Sequence, residues 1–113
     1  MPFIRTTTNK PVTKETADTC KTVCGQLIPL IRGKSEEWLM VQVTGDQNLY
    51  FQGNNAPCAM VEVQVFGKIT NSDADNMTDA LTRAFSKTLD IPADRIYVRY
   101  EEVSHWGWNG SNF

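Results

Sequence analysis

The sequence predicts an α+β fold built from two βαβ units in tandem (βαββαβ), with four strands in one sheet and both helices on one face. Positions 3–8 are rich in β-branched residues, side chains of two kinds alternate at 39–44, 61–65 and 96–100, and two longer stretches between them carry apolar residues at helical spacing. The halves also superimpose when the sequence is shifted by 57 positions, which brings Ala17 onto Ala74, Cys20 onto Met77, Cys24 onto Leu81, Ile28 onto Phe85 and Leu39 onto Ile96. A strand–helix–strand unit closes as a right-handed crossover with parallel strands, so each half contributes a parallel pair.

The elements follow in order. Phe3 to Thr8 is rich in β-branched residues and reads as a strand, which Asn9-Lys10-Pro11 ends. Thr13 is the N-cap of the first helix, whose inner face is Ala17, Cys20, Cys24, Leu27 and Ile31; Gly33 is its stop signal, and Pro29 either kinks it or ends it early. Leu39, Val41 and Val43 alternate with Met40, Gln42 and Thr44 as the second strand. Residues 45–57 are rich in Gly, Asn and Gln and read as a loop, with a short extended piece at Leu49 to Phe51. Within it, Asn48 to Gly53 resembles a protease tag; because it joins two strands that need the connection, it is read as native. Val61, Val63 and Val65 form the third strand, Ser72-Asp73-Ala74-Asp75 opens the second helix, and Ile96, Val98 and Tyr100 form the fourth strand ahead of an aromatic, glycine-containing tail.

With 113 residues the chain fits one domain spanning 1–113 and leaves much of its surface in water unless partners cover it. Both helices lie on one sheet face, and nothing in a single chain covers the other, which favours self-association. A net charge of −2 with 21% charged residues gives no basic field, so nucleic acid is excluded as a partner class. No apolar run approaches the roughly 20 residues of a membrane span, so membrane insertion is not expected. The start MPFIRTTTNK lacks the apolar core of a signal peptide, so the expected location is cytoplasmic, and a secreted role would need an unconventional exit. Cys20, Cys24 and Cys58 are odd in number, contain no CxxC and have one histidine, His105, for company, so they suggest no disulfide framework or metal site; Cys20 and Cys24, one helical turn apart, read as buried fillers, and a reducing compartment suits all three.

Chemistry is suggested first at the start of the chain. Removal of Met1 would leave Pro2 with a secondary amine fixed at a strand end, and burial or a nearby cation such as Lys34 would lower its pKa toward neutrality. Lys34 after Gly33 equally suits a helix C-terminus, and Tyr97 between Ile96 and Val98 equally suits a packed strand.

MPFI with the following TTN, Gly33-Lys34, Asp46-Gln47, Ala56-Pro57-Cys58-Ala59, Phe66-Gly67-Lys68-Ile69, Asp94-Arg95-Ile96-Tyr97-Val98 and Gly107-Trp108-Asn109-Gly110-Ser111-Asn112-Phe113 occur in one order along the whole chain. In this pattern the sequence resembles the macrophage migration inhibitory factor and D-dopachrome tautomerase family. The resemblance implies a homotrimer with active sites at subunit interfaces and cofactor-free keto–enol tautomerisation of phenylpyruvate-like 2-oxo acids, with dopachrome a further substrate. It implies Pro2 as catalytic base, Lys34 as carboxylate ligand, Phe66 as backbone and wall of the pocket, and Tyr97 as a contribution from the neighbouring subunit. Trp38, Trp106 and Phe113 would line an aromatic pocket, and Arg99 stands where the mammalian cytokine has a substrate-contacting asparagine. The alternative implied is a secreted, cytokine-like ligand of a cell-surface receptor. Two departures bear on the implied roles: Cys58-Ala59-Met60-Val61 lacks the second cysteine of the family's CxxC, and Val12 replaces an arginine of its receptor-mimicking loop while Asp46 remains.

Overall fold

A computed structural model describes all 113 residues. The chain runs β1 (Pro2–Thr8), α1 (Lys14–Leu27), β2 (Met40–Thr44), β3 (Ala59–Phe66), α2 (Asn71–Leu89), β4 (Ile96–Val103) and a closing hairpin of β5 (Gly107–Trp108) and β6 (Ser111–Asn112). The sheet order is β2-β1-β3-β4, with β1 parallel to β2, β3 parallel to β4, and β1 antiparallel to β3 at the centre. The expected α+β architecture is therefore present, and the antiparallel central pair is where the two βαβ halves meet.

The internal repeat extends to the helix caps. Thr13 accepts a hydrogen bond from the Thr16 amide and Thr70 accepts one from the Asp73 amide, at equivalent places in the two halves. The second helix thus begins one residue before Ser72, at Asn71. The first ends at Leu27, and Pro29 sits in a short 3-10 turn, Ile28–Leu30. Proline is tolerated in such a first turn because its missing N–H would have had no partner there, so the residue that disturbs the helical pattern is the one that terminates it. Gly33 lies beyond that end, at φ +84 in the next turn.

One core explains why both helices share a face. Ile4, Val61, Val63 and Val65 point from the two central strands into a cluster with Cys20 and Cys24 of α1 and Met77, Leu81 and Phe85 of α2, all fully buried. Burial pushes the Cys20 thiol up to about 11 and the Cys24 thiol to about 12, so both remain protonated fillers at neutral pH. The opposite sheet face carries Phe3, Arg5, Met40, Met60, Glu62, Tyr97 and Arg99, and no element of the chain packs across it.

Residues 45–57 contain less extended structure than the sequence suggests: a bridge between Phe51 and Asn54 replaces the expected piece at Leu49 to Phe51. The segment is held by two side chains. The Arg95 guanidinium donates to the carbonyls of Phe51, Asn54, Ala56 and Pro57, while the Asn9 amide donates to those of Leu49, Asn55 and Ala56. The tag-like sequence is thereby built into the fold.

The core contains one polar misfit. Thr6 is fully buried and its hydroxyl has no hydrogen-bond partner. An unmatched buried hydroxyl costs about 1–3 kcal/mol, so Thr6→Val, which fills the same space without it, should raise stability by about 1 kcal/mol. Urea denaturation of the two proteins measures this difference.

Candidate active site

The start of β1 enters the sheet against the end of β3, where Pro2 pairs with Val65 and Phe3 with Gln64. Pairing is continued outward by the Phe66 amide, which donates to the Met1 carbonyl at 2.9 Å. The chain terminus is therefore a fixed strand end, and Pro2 is buried. On its far side the turn after α1 delivers Lys34, whose Nζ donates to the Phe66 carbonyl at 2.8 Å. Phe66 thus holds the terminus through its N–H and Lys34 through its C=O.

This arrangement acts on the terminal amine. Burial lowers the pKa of the Met1 amine from its ordinary value of 8.0, and the charge of Lys34 beside it lowers it further. Both effects act on the Met1 nitrogen; after Met1 removal the free nitrogen would be that of Pro2, one residue along the strand.

Beside the terminus a groove of about 500 Å³ is lined by Met1, Pro2, Trp38, Met40, Gln64, Trp106 and Trp108 among others. Its aromatic wall is continuous. Trp38 meets Trp108 edge-on with ring centres 5.0 Å apart, Trp108 stacks near Phe113 at 6.3 Å, and Phe113 reaches Phe66 at 5.9 Å. The Asn109-Gly110 turn, with both residues at positive φ, folds the tail into the hairpin that places Trp108, and the Phe113 amide closes it on the Trp106 carbonyl at 3.0 Å. Of the residues singled out in the sequence, Pro2, Trp38 and Trp106 line this groove, while Phe113, Phe66 and Lys34 adjoin it through the Trp108–Phe113 and Phe113–Phe66 ring contacts and the Lys34–Phe66 hydrogen bond. Trp108, not among the site residues singled out in the sequence, joins the wall between Trp38 and Phe113; its place in a Trp-Asn-Gly turn was the available signal.

Tyr97 and Arg99 lie elsewhere in the chain. Tyr97 pairs with Met60 while Pro2 pairs with Val65, a separation of five residues along β3, or about 17 Å at the usual strand rise. It is exposed, meets Phe51 edge-on at 4.8 Å, and borders a second cavity of about 200 Å³ with Leu49, Tyr50, Phe51, Cys58 and Met60. Arg99 lies midway along the edge strand β4 on the open sheet face, where its guanidinium donates to Glu62 at 3.0 Å; Arg5 donates to the same carboxylate at 2.8 Å. His105 is exposed next to Ser104, as a surface residue should be.

An α+β chain of two βαβ halves, whose strand-anchored start lies beside Lys34 and an aromatic groove, is of the tautomerase-superfamily type. The family model described as Macrophage migration inhibitory factor (MIF) matches residues 1–113. Macrophage migration inhibitory factor of Mus musculus is 36% identical over 83 residues, covering 72% of each chain. Among solved structures, MIF2 of Leishmania major superimposes with a TM-score of 0.93 at 34% identity, covering 100% of this chain and 97% of that one. A homologue from Prochlorococcus marinus gives 0.89 at 30% identity, covering 98% of each chain. The chain belongs to the macrophage migration inhibitory factor family. Membership supports a cytokine or tautomerase function in general, together with oligomeric assembly and receptor interaction as general properties. No helix is long and apolar enough to cross a membrane.

Three carboxylates give the fold a defined acid response. Hydrogen bonds from Arg5 and then Arg99 hold Glu62 below its ordinary 4.5, the Arg32 backbone and guanidinium hold Asp73 below 3.8, and the Ile69 amide with Lys68 holds Glu102 below 4.5. Each stays ionised when folded at a pH where it would take up a proton unfolded. Their stabilisation is complete above the ordinary carboxylate values and is lost as pH falls through the depressed ones. Melting temperature should accordingly fall as pH drops from 5 toward 2, and less steeply in Glu62→Gln, as thermal melts across that range will measure.

Proposed function

We propose that the chain, after loss of Met1, is a cofactor-free keto–enol tautomerase acting on phenylpyruvate-like 2-oxo acids, with dopachrome as a further substrate. The observation that carries this reading is the strand-anchored terminus beside Lys34, in an environment that depresses its amine. The secondary amine of Pro2 removes the proton from the carbon next to the carbonyl, and the electron pair left behind forms the carbon–carbon double bond of the enol. The proton is delivered to the carbonyl oxygen, so no redox partner, metal or nucleotide is required. Lys34 holds the substrate carboxylate, which fixes the reacting carbon near Pro2, while Trp38, Trp106, Phe113 and the wall at Phe66 receive the planar ring.

The open sheet face and the position of Tyr97 support a homotrimer in this reading. Tyr97, with its exposed ring at the opposite end of the sheet from Pro2, then completes the groove of a neighbouring subunit. Arg99 is on the same face and would supply a second cation to that neighbour's substrate, its charge shared with Glu62. The receptor-ligand alternative receives less support: Val12, where the family's mimicry loop has arginine, packs against the core instead of presenting a cation.

Protein with the proline terminus confirmed by mass spectrometry should enolise phenylpyruvate. Retained Met1 should abolish the activity, because an amide nitrogen delocalises its lone pair into the carbonyl and cannot serve as a base. Pro2→Gly should retain a weak residue of activity through its primary amine. Full activity in protein shown to keep Met1 would contradict the mechanism. Lys34→Ala should raise KM for the acid by about tenfold while leaving the ester analogue nearly unchanged, as expected for loss of one charge-assisted contact.

A further inference from the structure

The turn that carries Lys34 is gripped from α2. The Lys34 amide donates to the Ile31 carbonyl at 3.1 Å, closing a turn whose middle residues are Arg32 and Gly33, the latter at φ +84. Arg32 points its backbone N–H at Asp73 Oδ2, 3.1 Å away, and its Nε donates to the same oxygen at 3.2 Å. Its Nη2 reaches Thr70 Oγ1 at 3.4 Å. Asp73 is buried although Arg32 is largely exposed, so the carboxylate is the fixed partner and the arginine folds onto it.

The position of Asp73 in the repeat sharpens the point. Its counterpart one repeat earlier is Thr16, in the first turn of α1, whose side chain instead meets its own cap residue Thr13 at 3.1 Å. A carboxylate in the first turn would suit the helix terminus by charge alone. Here it also reaches across to another segment and takes two donors from one residue. Phe66 lies seven residues before Asp73, at the end of β3, and its carbonyl receives Lys34 Nζ. The end of β3 and the first turn of α2, joined by a short connection, therefore grip the turn twice, by Phe66 on Lys34 and by Asp73 on Arg32.

We propose that Asp73 is a positioning residue for the reaction, holding the Arg32–Gly33 turn so that the Lys34 ammonium stands ready at the groove for a carboxylate. The proposal rests on the reading of Lys34 as carboxylate ligand. Asp73 touches no substrate and acts only through the turn. Without it Lys34 keeps its charge but loses its fixed approach, so its rotamer freedom must be frozen by each incoming substrate.

Three measurements separate this role from general support of the fold. In Asp73→Ala, KM for phenylpyruvate should rise by about tenfold with kcat changed less than twofold, and the ester analogue should be unaffected. Asp73→Asn, which keeps an acceptor for the Arg32 amide, should recover part of the loss and serves in place of the alanine variant should that one fail to fold. In a Lys34→Ala background, Asp73→Ala should cost nothing further on the acid, since the two act as one unit. Hydrogen exchange at the Lys34 amide should accelerate at least tenfold in Asp73→Ala while the Ile4 and Val63 amides stay protected. Equal losses on acid and ester, additive losses with Lys34→Ala, or an unchanged Lys34 amide would overturn the proposal. Should Lys34→Ala itself affect acid and ester alike, the carboxylate reading fails, and the amide exchange still reports separately whether Asp73 holds the turn.

Discussion

The antiparallel pairing of β1 with β3 is the constraint from which the rest of the molecule follows. It joins two βαβ halves that could not otherwise share a sheet, and its register sets Pro2 opposite Val65 at the last rung. A terminus placed by a ladder of backbone hydrogen bonds has little of the freedom that chain ends usually keep. The Met1 amine at that end is held where burial and a lysine both disfavour a positive charge. Phe66, the next residue along β3, connects the pairing to the site: its carbonyl receives Lys34, and its amide binds the Met1 carbonyl for as long as Met1 remains.

The two sheet faces divide the work. The inner face is apolar and binds both helices in one core, where burial raises the Cys20 and Cys24 thiols well beyond neutral pH. The outer face carries the row Arg5, Glu62 and Arg99, in which one carboxylate accepts from two guanidiniums, flanked by exposed Met40 and Tyr97. Mixed apolar and paired polar groups of this kind suit a surface that is covered by copies of itself, and the proposed trimer would bring Tyr97 of one subunit toward the groove of another.

Much of this could be read from the residues. Period-two runs and the 57-residue repeat give the strands, helices and shared face, because burial on one side imposes those periods directly. The end of α1 was less legible: Pro29 and Gly33 both signal termination, and only packing decides that the proline is used first. In the site, Pro2 and Lys34 are suggested by chemistry and family likeness, and the aromatic wall by its tail. What sequence could not supply was the third dimension of polar contacts. Asp73 reads as an ordinary helix-start carboxylate until the fold brings Arg32 to it, 41 residues away in sequence. Arg95 and Asn9 likewise read as strand-flanking polar residues, although they hold the loop that includes Phe51. Tyr97 and Arg99 illustrate the converse: the strand is legible, but in the proposed trimer their site would lie beyond the boundary of one chain.

The central claim is that this fold makes a chain-terminal proline into a base at neutral pH. Its most direct test is an NMR titration of the ¹⁵N-labelled Pro2 nitrogen in protein shown to lack Met1. The account requires a pKa below the roughly 7.7–8.0 of an ordinary α-amine, rising when Lys34 is replaced by alanine. A value at or above that range, unmoved by Lys34→Ala, would contradict it.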